Sequence, residues 1–227
     1  MLRYRSLILL ILCCAAIMGA VAPAHAASSS IGVFQNGMWY LDANQSWDWN
    51  GANIDILGIF GVGVPNAIPV VGDWNGDGKT DIGIYTDGIW YLDMNGNWQW
   101  DGEGVDVRGV FGVGLPNAIP VIGDWNSDGK SEIGIYSDGS WYLDKNANWQ
   151  WDDVPTDTYG LFGNGLPNVI PVTGDWNGNG TTKIGVYSDG NWYLDTNSNW
   201  QWDGTPTETY GLFGVGLGVV VPVTGNW

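Results

Sequence analysis

The residues best suited to chemistry lie in a short acidic loop, where Asp73, Asn75, Asp77 and Asp81 alternate with other residues and Gly78 takes the sixth position. Side-chain oxygens at relative positions 1, 3, 5 and 9, with the Lys79 carbonyl at position 7, make the donor set that a hard cation such as calcium takes from a short loop. A second copy follows 51 residues later through Asp124, Asn126, Asp128, the Lys130 carbonyl and Glu132, whose side chain is one carbon longer. A third reads Asp175, Asn177 and Asn179 but carries Lys183 where the last carboxylate belongs. An ammonium there can take the ion's place. The sequence therefore predicts two structural Ca2+ sites and a third loop that binds calcium weakly or not at all. A fourth loop stops at Asn226-Trp227. The competing reading is a set of metal-free turns, which Asp, Asn and Gly also favour. Oxygen donors at all four ligand positions argue for the cation.

Composition excludes much other chemistry. Residues 1–26 read as an export signal, with Arg3 and Arg5 at the basic start, an apolar stretch through Ala16 and an Ala24-His25-Ala26 cleavage pattern. Cys13, Cys14 and His25 all fall inside it, so residues 27–227 hold neither thiol nor imidazole. The usual nucleophiles, the usual general base and the common zinc ligands are thereby removed. The formal net charge is −17 and becomes more negative when the signal leaves. Nucleic acid and anionic membranes are poor partners for such a surface, and cations are good ones. Secretion, or export to a periplasm, without membrane insertion is the expectation.

The elements that must position these loops come from a repeat. Ile31, Ile82, Ile133 and Ile184 each open nearly the same phrase, IGVFQNGMWYLD in the first and IGIYSDGSWYLD in the third. Four units result: 31–81, 82–132, 133–183 and 184–227, all within one domain spanning 27–227. A period near 50 residues rich in Gly and aromatics signals a propeller or an array of stacked units. Apolar alternation has the strand period of two. In one unit it predicts strands at 118–124, 133–136, 140–144 and 148–152, the middle pair joined by an Asp138-Gly139 hairpin turn. The predicted fold is all-β, a four-bladed β-propeller of four-stranded antiparallel blades. Its ring closes when a C-terminal strand at 219–225 completes the N-terminal blade, which removes open edges. The alternative is an open half-ring that pairs with a second copy into eight blades. The first predicts a monomer, the second a dimer.

The run Phe111-Gly112, Ile119-Pro120-Val121, Gly123-Asp124-Trp125-Asn126, Asp128-Gly129 and Ile133-Gly134 resembles the FG-GAP/VCBS-type repeat family, found in integrin alpha chains and many secreted microbial proteins. The likeness extends over 31–227. It implies a β-propeller with calcium in the loops between first and second strands, and says little about the ligand, since such repeats are scaffolds for many functions. Integrin-type rings have seven blades, whereas this chain has sequence for four. An EF-hand is excluded because Ile84 and Ile135 stand where its acidic twelfth ligand belongs.

Tryptophan is the other chemical signature, with 16 in the chain. Trp47 and Trp49, Trp98 and Trp100, Trp149 and Trp151, and Trp200 and Trp202 are spaced by two, which on an outermost strand puts each pair on one side. Flat indoles beside Asp and Asn form a platform for sugars, although packing between blades competes for the same rings. Packing is the stronger reading for Trp39, Trp90, Trp141 and Trp192. The repeated Asp42, Asp93, Asp144 and Asp195 could supply an acid–base pair for glycoside hydrolysis, but turn capping fits them better. Glu103, Asp106 and Arg108 stand out as a place to look for asymmetry. The expected function is a calcium-stabilised, non-enzymatic binding module, lectin-like or adhesive, with a glycan or cell-surface ligand. A polysaccharide-degrading enzyme and a protein-interaction scaffold are the alternatives.

Overall fold

The structure is a computed structural model that describes residues 29–218 and 220–225. The segment expected to be an export signal, 1–26, and Asn226-Trp227 lie outside the described residues. The repeats give four antiparallel sheets, and sheets 2 to 4 each take their first strand from the end of the preceding repeat. Sheet 1 contains β1 (Gly32–Gln35), β2 (Met38–Leu41) and β3 (Ile56–Ile59). Sheet 2 contains β4 (Ile68–Gly72), β5 (Asp81–Thr86), β6 (Ile89–Leu92) and β7 (Val107–Val110). Sheet 3 contains β8 (Ile119–Gly123), β9 (Glu132–Ser137), β10 (Ser140–Leu143) and β11 (Thr158–Leu161). Sheet 4 contains β12 (Ile170–Gly174), β13 (Lys183–Ser188), β14 (Asn191–Leu194) and β15 (Thr209–Leu212). No helix occurs among the described residues. The arrangement is all-β and propeller-like.

Local chemistry explains each sheet. The hairpin between β9 and β10 needs two consecutive left-handed residues, and Asp138 at φ 48° with Gly139 at φ 91° supplies them. Ser137 then pairs with Ser140, and the register places Tyr136 opposite Trp141. The Trp141 indole Nε1 donates to the Phe162 carbonyl at 3.1 Å, and the Phe162 N–H donates to the Gly139 carbonyl at 2.9 Å. The F-G segment is thereby fastened back onto the hairpin. The same pair of bonds recurs at Trp39 with Phe60 and at Trp90 with Phe111. Buried indoles with satisfied N–H groups cost nothing in lost hydrogen bonds while contributing large buried area.

The core lies between sheets rather than inside any one. Trp39 and Phe60 of sheet 1 pack with Ile82 and Ile84 of sheet 2. Trp90 and Phe111 of sheet 2 pack with Ile133 and Ile135 of sheet 3. Trp141 and Phe162 of sheet 3 meet Ile184 and Val186 of sheet 4. A second contact fixes each joint: a Cβ added at Gly109 on β7 would stand 2.8 Å from the Trp149 Cβ, and at Gly58 on β3 2.9 Å from the Trp98 Cβ. Only glycine lets the next unit approach so closely. The Trp149 carbonyl then accepts the Val110 N–H at 2.9 Å, and the Trp98 carbonyl accepts the Ile59 N–H at 2.8 Å. The first strands β4, β8 and β12 lie side by side around a cleft lined by Pro69, Pro120, Pro171 and Pro222. Proline has no N–H to offer a further strand, which suits the open edge of each sheet.

The strands expected at 118–124, 133–136 and 140–144 are present as β8, β9 and β10. The expected strand at 148–152 is not. That segment is a bend whose one strand-like pairing with the neighbouring sheet is a bridge of Gln150 with Val110. The outer strand is instead β11, paired with β10 from Ser140↔Leu161 to Leu143↔Thr158. Asp144 explains the difference: its Oδ2 accepts the Trp149 N–H at 2.7 Å and Oδ1 the Asn148 N–H at 3.3 Å, curling the chain and holding Trp149 at φ 67°. Nor is the ring closed within the chain. Among the described residues sheet 1 has three strands, β1 pairs only with β2, and 220–225 is not a strand.

Replacing Gly109 by Ala should cost roughly 1–3 kcal/mol, the usual penalty of overpacking. Urea denaturation followed by tryptophan fluorescence checks it, and an unchanged midpoint would contradict the close approach.

Candidate cation loops and aromatic pockets

The acidic loops connect the first and second strands of their sheets, as expected. In the loop between β4 and β5, Asp73 Oδ1 accepts from Gly76 N at 2.7 Å and Asp77 N at 3.1 Å, while Oδ2 accepts from Gly78 N at 2.8 Å. Asn75 Oδ1 accepts the Asp77 N–H, and its Nδ2 reaches Asp81 Oδ2 at 3.1 Å. The loop between β8 and β9 repeats this around Asp124, Asn126 and Asp128. There the carboxylates of Asp124, Asp128 and Glu132 each place an oxygen within 4.8 Å of the others, a set that could hold a metal ion. The loops are also tied to each other: Ser131 N donates to the Asp73 carbonyl at 2.8 Å and Thr182 N to the Asp124 carbonyl at 3.2 Å.

These acids stand without a positive partner. Burial, then the nearby charges of Asp77, Asp93 and Asp73, pushes the Asp81 carboxyl up to about 7. Burial drives Glu132 to about 8, with Asp128, Asp124 and Asp144 adding to the rise and the Trp125 N–H opposing it. Carboxyl groups crowded in this way favour a cation among them. The third loop, between β12 and β13, supplies one covalently. The buried Lys183 Nζ donates to Asn179 Oδ1 at 2.8 Å and to the Thr181 carbonyl at 3.2 Å, and stands 3.9 Å from Asp175 Oδ1. The Asp175 carboxyl is lowered, first by the Gly180 N–H and also by this ammonium. Asn177 Nδ2 donates to the Thr196 carbonyl, as Asn75 does to that of Met94 and Asn126 to that of Lys145. An ammonium thus reaches the oxygen donors of the one loop that lacks its final acid.

A row of buried acids escaped the sequence reading. Asp106 is not unmatched: Asp55, Asp106, Asp157 and Glu208 recur every 51 residues and all are buried. Asp106 accepts the Met94 and Asp101 N–H groups, and Asp157 those of Lys145 and Asp152. Together with Asp93 and Asp144 they pin both ends of the turn that carries the Trp pair. Counting by 51 would have found them. Glu103 and Arg108 are exposed and belong to no such set. Asp42, Asp93, Asp144 and Asp195 are turn caps, each accepting backbone N–H groups from the following residues.

The Trp pairs are divided by this turn rather than sharing one strand face. Trp98, Trp149 and Trp200 sit on Gly58, Gly109 and Gly160 of the preceding sheet. Trp100 and Trp151 lean edge-on against Phe60 and Phe111 at 5.9 and 5.8 Å, and against Tyr91 and Tyr142 at 5.2 and 5.4 Å. Trp202 meets Tyr193 at 5.1 Å. Trp47 and Trp49 are exposed, with Trp49 against Tyr40 at 5.2 Å. At the joint of sheets 2 and 3 an open pocket of about 350 Å³ is bounded by Phe111, Val113, Leu115, Tyr142, Gln150 and Trp151.

No family model, curated protein or solved structure matches the chain.

Lys183→Met removes the ammonium, leaving Asn179 Oδ1 with the Thr181 N–H alone and the Thr181 carbonyl and Asp175 without their cation. A loss of about 1–3 kcal/mol is expected, measurable as a lowered thermal midpoint, whereas exposed Lys130→Met should leave the midpoint in place.

Proposed function

We propose that the protein is an exported, calcium-stabilised, propeller-like binding module whose ligands are carbohydrates. The observation that carries the reading is the pocket at the joint of sheets 2 and 3. Its Trp151 indole and Tyr142 phenol offer apolar faces, and Gln150 offers an amide that can donate and accept, the combination that suits a sugar ring with its hydroxyls. The joint of sheets 1 and 2 repeats the set with Phe60, Tyr91, Gln99 and Trp100, and that of sheets 3 and 4 with Phe162, Tyr193, Gln201 and Trp202. Several weak sites on one rigid body gain apparent affinity through multivalency when the ligand is itself repetitive. The capping carboxylates spend their oxygens on backbone N–H groups, which supports binding without turnover.

Calcium belongs to the scaffold in this reading. Asp73, Asn75, Asp77, Asp81 and the Lys79 carbonyl would hold one ion, and Asp124, Asn126, Asp128, Glu132 and the Lys130 carbonyl a second. Neutralising these acids would hold the loops, and through Ser131 and Thr182 the neighbouring sheets. The FG-GAP/VCBS resemblance fits this proposal, and the leader pattern at 1–26 supports export.

Calorimetric titration should give two calcium ions per chain, one for Glu132→Gln and three for Lys183→Glu, which restores the missing acid. No heat with any of the three would remove the metal from the account. On a glycan array, bound ligands should be lost with Trp151→Ala while the circular dichroism spectrum is kept. A blank array from folded, calcium-loaded protein would direct the search to protein partners.

A further inference from the structure

Each internal joint uses two unlike faces. The outer strand and F-G segment of one sheet present a glycine, a phenylalanine and a second glycine. The next sheet brings a Trp carbonyl and side chain, a second Trp, and an aliphatic residue of its second strand. At the joint of sheets 2 and 3 these are Gly109, Phe111 and Gly112 against Trp149, Trp151 and Ile135. At the joint of sheets 1 and 2 they are Gly58, Phe60 and Gly61 against Trp98, Trp100 and Ile84. Both unlike faces are left open at the two ends of the array. Sheet 4 presents Gly211, Phe213 and Gly214, and sheet 1 presents Trp47, Trp49 and Val33, each member standing 51 residues from its counterpart in a neighbouring unit.

Exposure marks the difference. Phe60 and Phe111 are each 1% exposed, but Phe213 is 80% exposed. Ile84 and Ile135 are buried, but Val33, in the same place, is 65% exposed, and Trp47 is 66% exposed. Segment 220–225 lies beside β12, with Thr224 Oγ1 donating to the Thr173 carbonyl at 3.0 Å, where a further first strand belongs. Its Val221 and Val223 are exposed, and among the described residues sheet 1 is the one sheet that lacks a first strand.

We propose that the outer face of sheet 4 receives sheet 1 of a second copy of this chain, with Trp47 on Gly211, Trp49 beside Phe213, Val33 on Gly214 and segment 220–225 paired to β1. The occupant is a second copy because, after three joints of one kind, both unmatched faces of one chain remain exposed. A contact between unlike faces repeats until rotation closes it. Two copies then make a ring in which each completes the other's first sheet. The joint also sets Tyr40 and Trp49 of one copy beside Phe213 and Leu217 of the other, the place that Tyr142 and Trp151 hold against Phe111 and Leu115.

Cysteine cross-linking tests this directly. A disulfide spans about 3.8 Å between Cβ atoms, and the joint of sheets 2 and 3 and that of sheets 1 and 2 place the corresponding Cβ positions 2.8 and 2.9 Å apart. Gly109→Cys with Trp149→Cys should lock within one chain and serves as the control. Gly211→Cys with Trp47→Cys should yield covalent dimers on oxidation, and neither single variant should do so. Light scattering should give the mass of two chains for the unsubstituted protein and of one chain for Phe213→Ser, with unchanged circular dichroism. A monomer cross-linked within itself would overturn the second copy in favour of self-closure. A one-chain mass with no cross-link would overturn the joint altogether.

Discussion

The structure depends on a close approach: the tryptophan turn of one unit lies directly on a glycine of the preceding outer strand. A methyl group at Gly58 or Gly109 would meet the Trp98 or Trp149 Cβ inside van der Waals contact. The separation of the sheets, and so everything packed between them, follows from that missing side chain. No sheet of four short strands buries enough apolar surface alone, so the joint is where folding energy is gained. The hairpins, the indole-to-carbonyl clasp and the capped turns all serve to present the two unlike faces of that joint.

The same geometry accounts for where function can sit. Because the turn after each third strand is pinned by buried acids, one tryptophan of each pair is committed to the joint and its companion lines a pocket mouth. Pocket lining and packing surface are thus cut from one five-residue stretch. The acidic loops lie at the other connection, between first and second strands, and reach sideways to the neighbouring loop through Ser131 and Thr182. Any change in their charge balance is felt by two sheets.

Much of this was legible in the sequence. The repeat, the first three strands of each unit and the Asp-Gly hairpins were readable because each depends on local pattern: a period of two, a positive-φ dipeptide and a count of 51. The fourth strand was not, because the N-W-Q-W-D run alternates as a strand does while Asp144 bends it into a turn. The real strand, Thr158–Leu161, is short and contains Gly160, a residue that usually weakens a strand and here admits a neighbour. The donors of the acidic loops were readable because all lie within nine residues. The buried row of Asp55, Asp106, Asp157 and Glu208 was readable only by counting across repeats, since each reaches back to a turn from the far side of a variable connector. Ring closure was not legible at all, because the rotation from one sheet to the next comes from packing rather than from residue pattern.

Lys183 gives the array a polarity that its repetition hides. Among the described residues no ion pair reaches the carboxylates of the first two loops, while in the third Lys183 stands 3.9 Å from Asp175. Protein made by copying one unit would respond to its surroundings evenly along its length. This one does not: in the first two loops burial and neighbouring acids push carboxyls up, to about 7 at Asp81 and about 8 at Glu132, while the third holds an ion pair. The loop that opens onto sheet 4 therefore carries its own ammonium, while those that open onto sheets 2 and 3 set acids against acids.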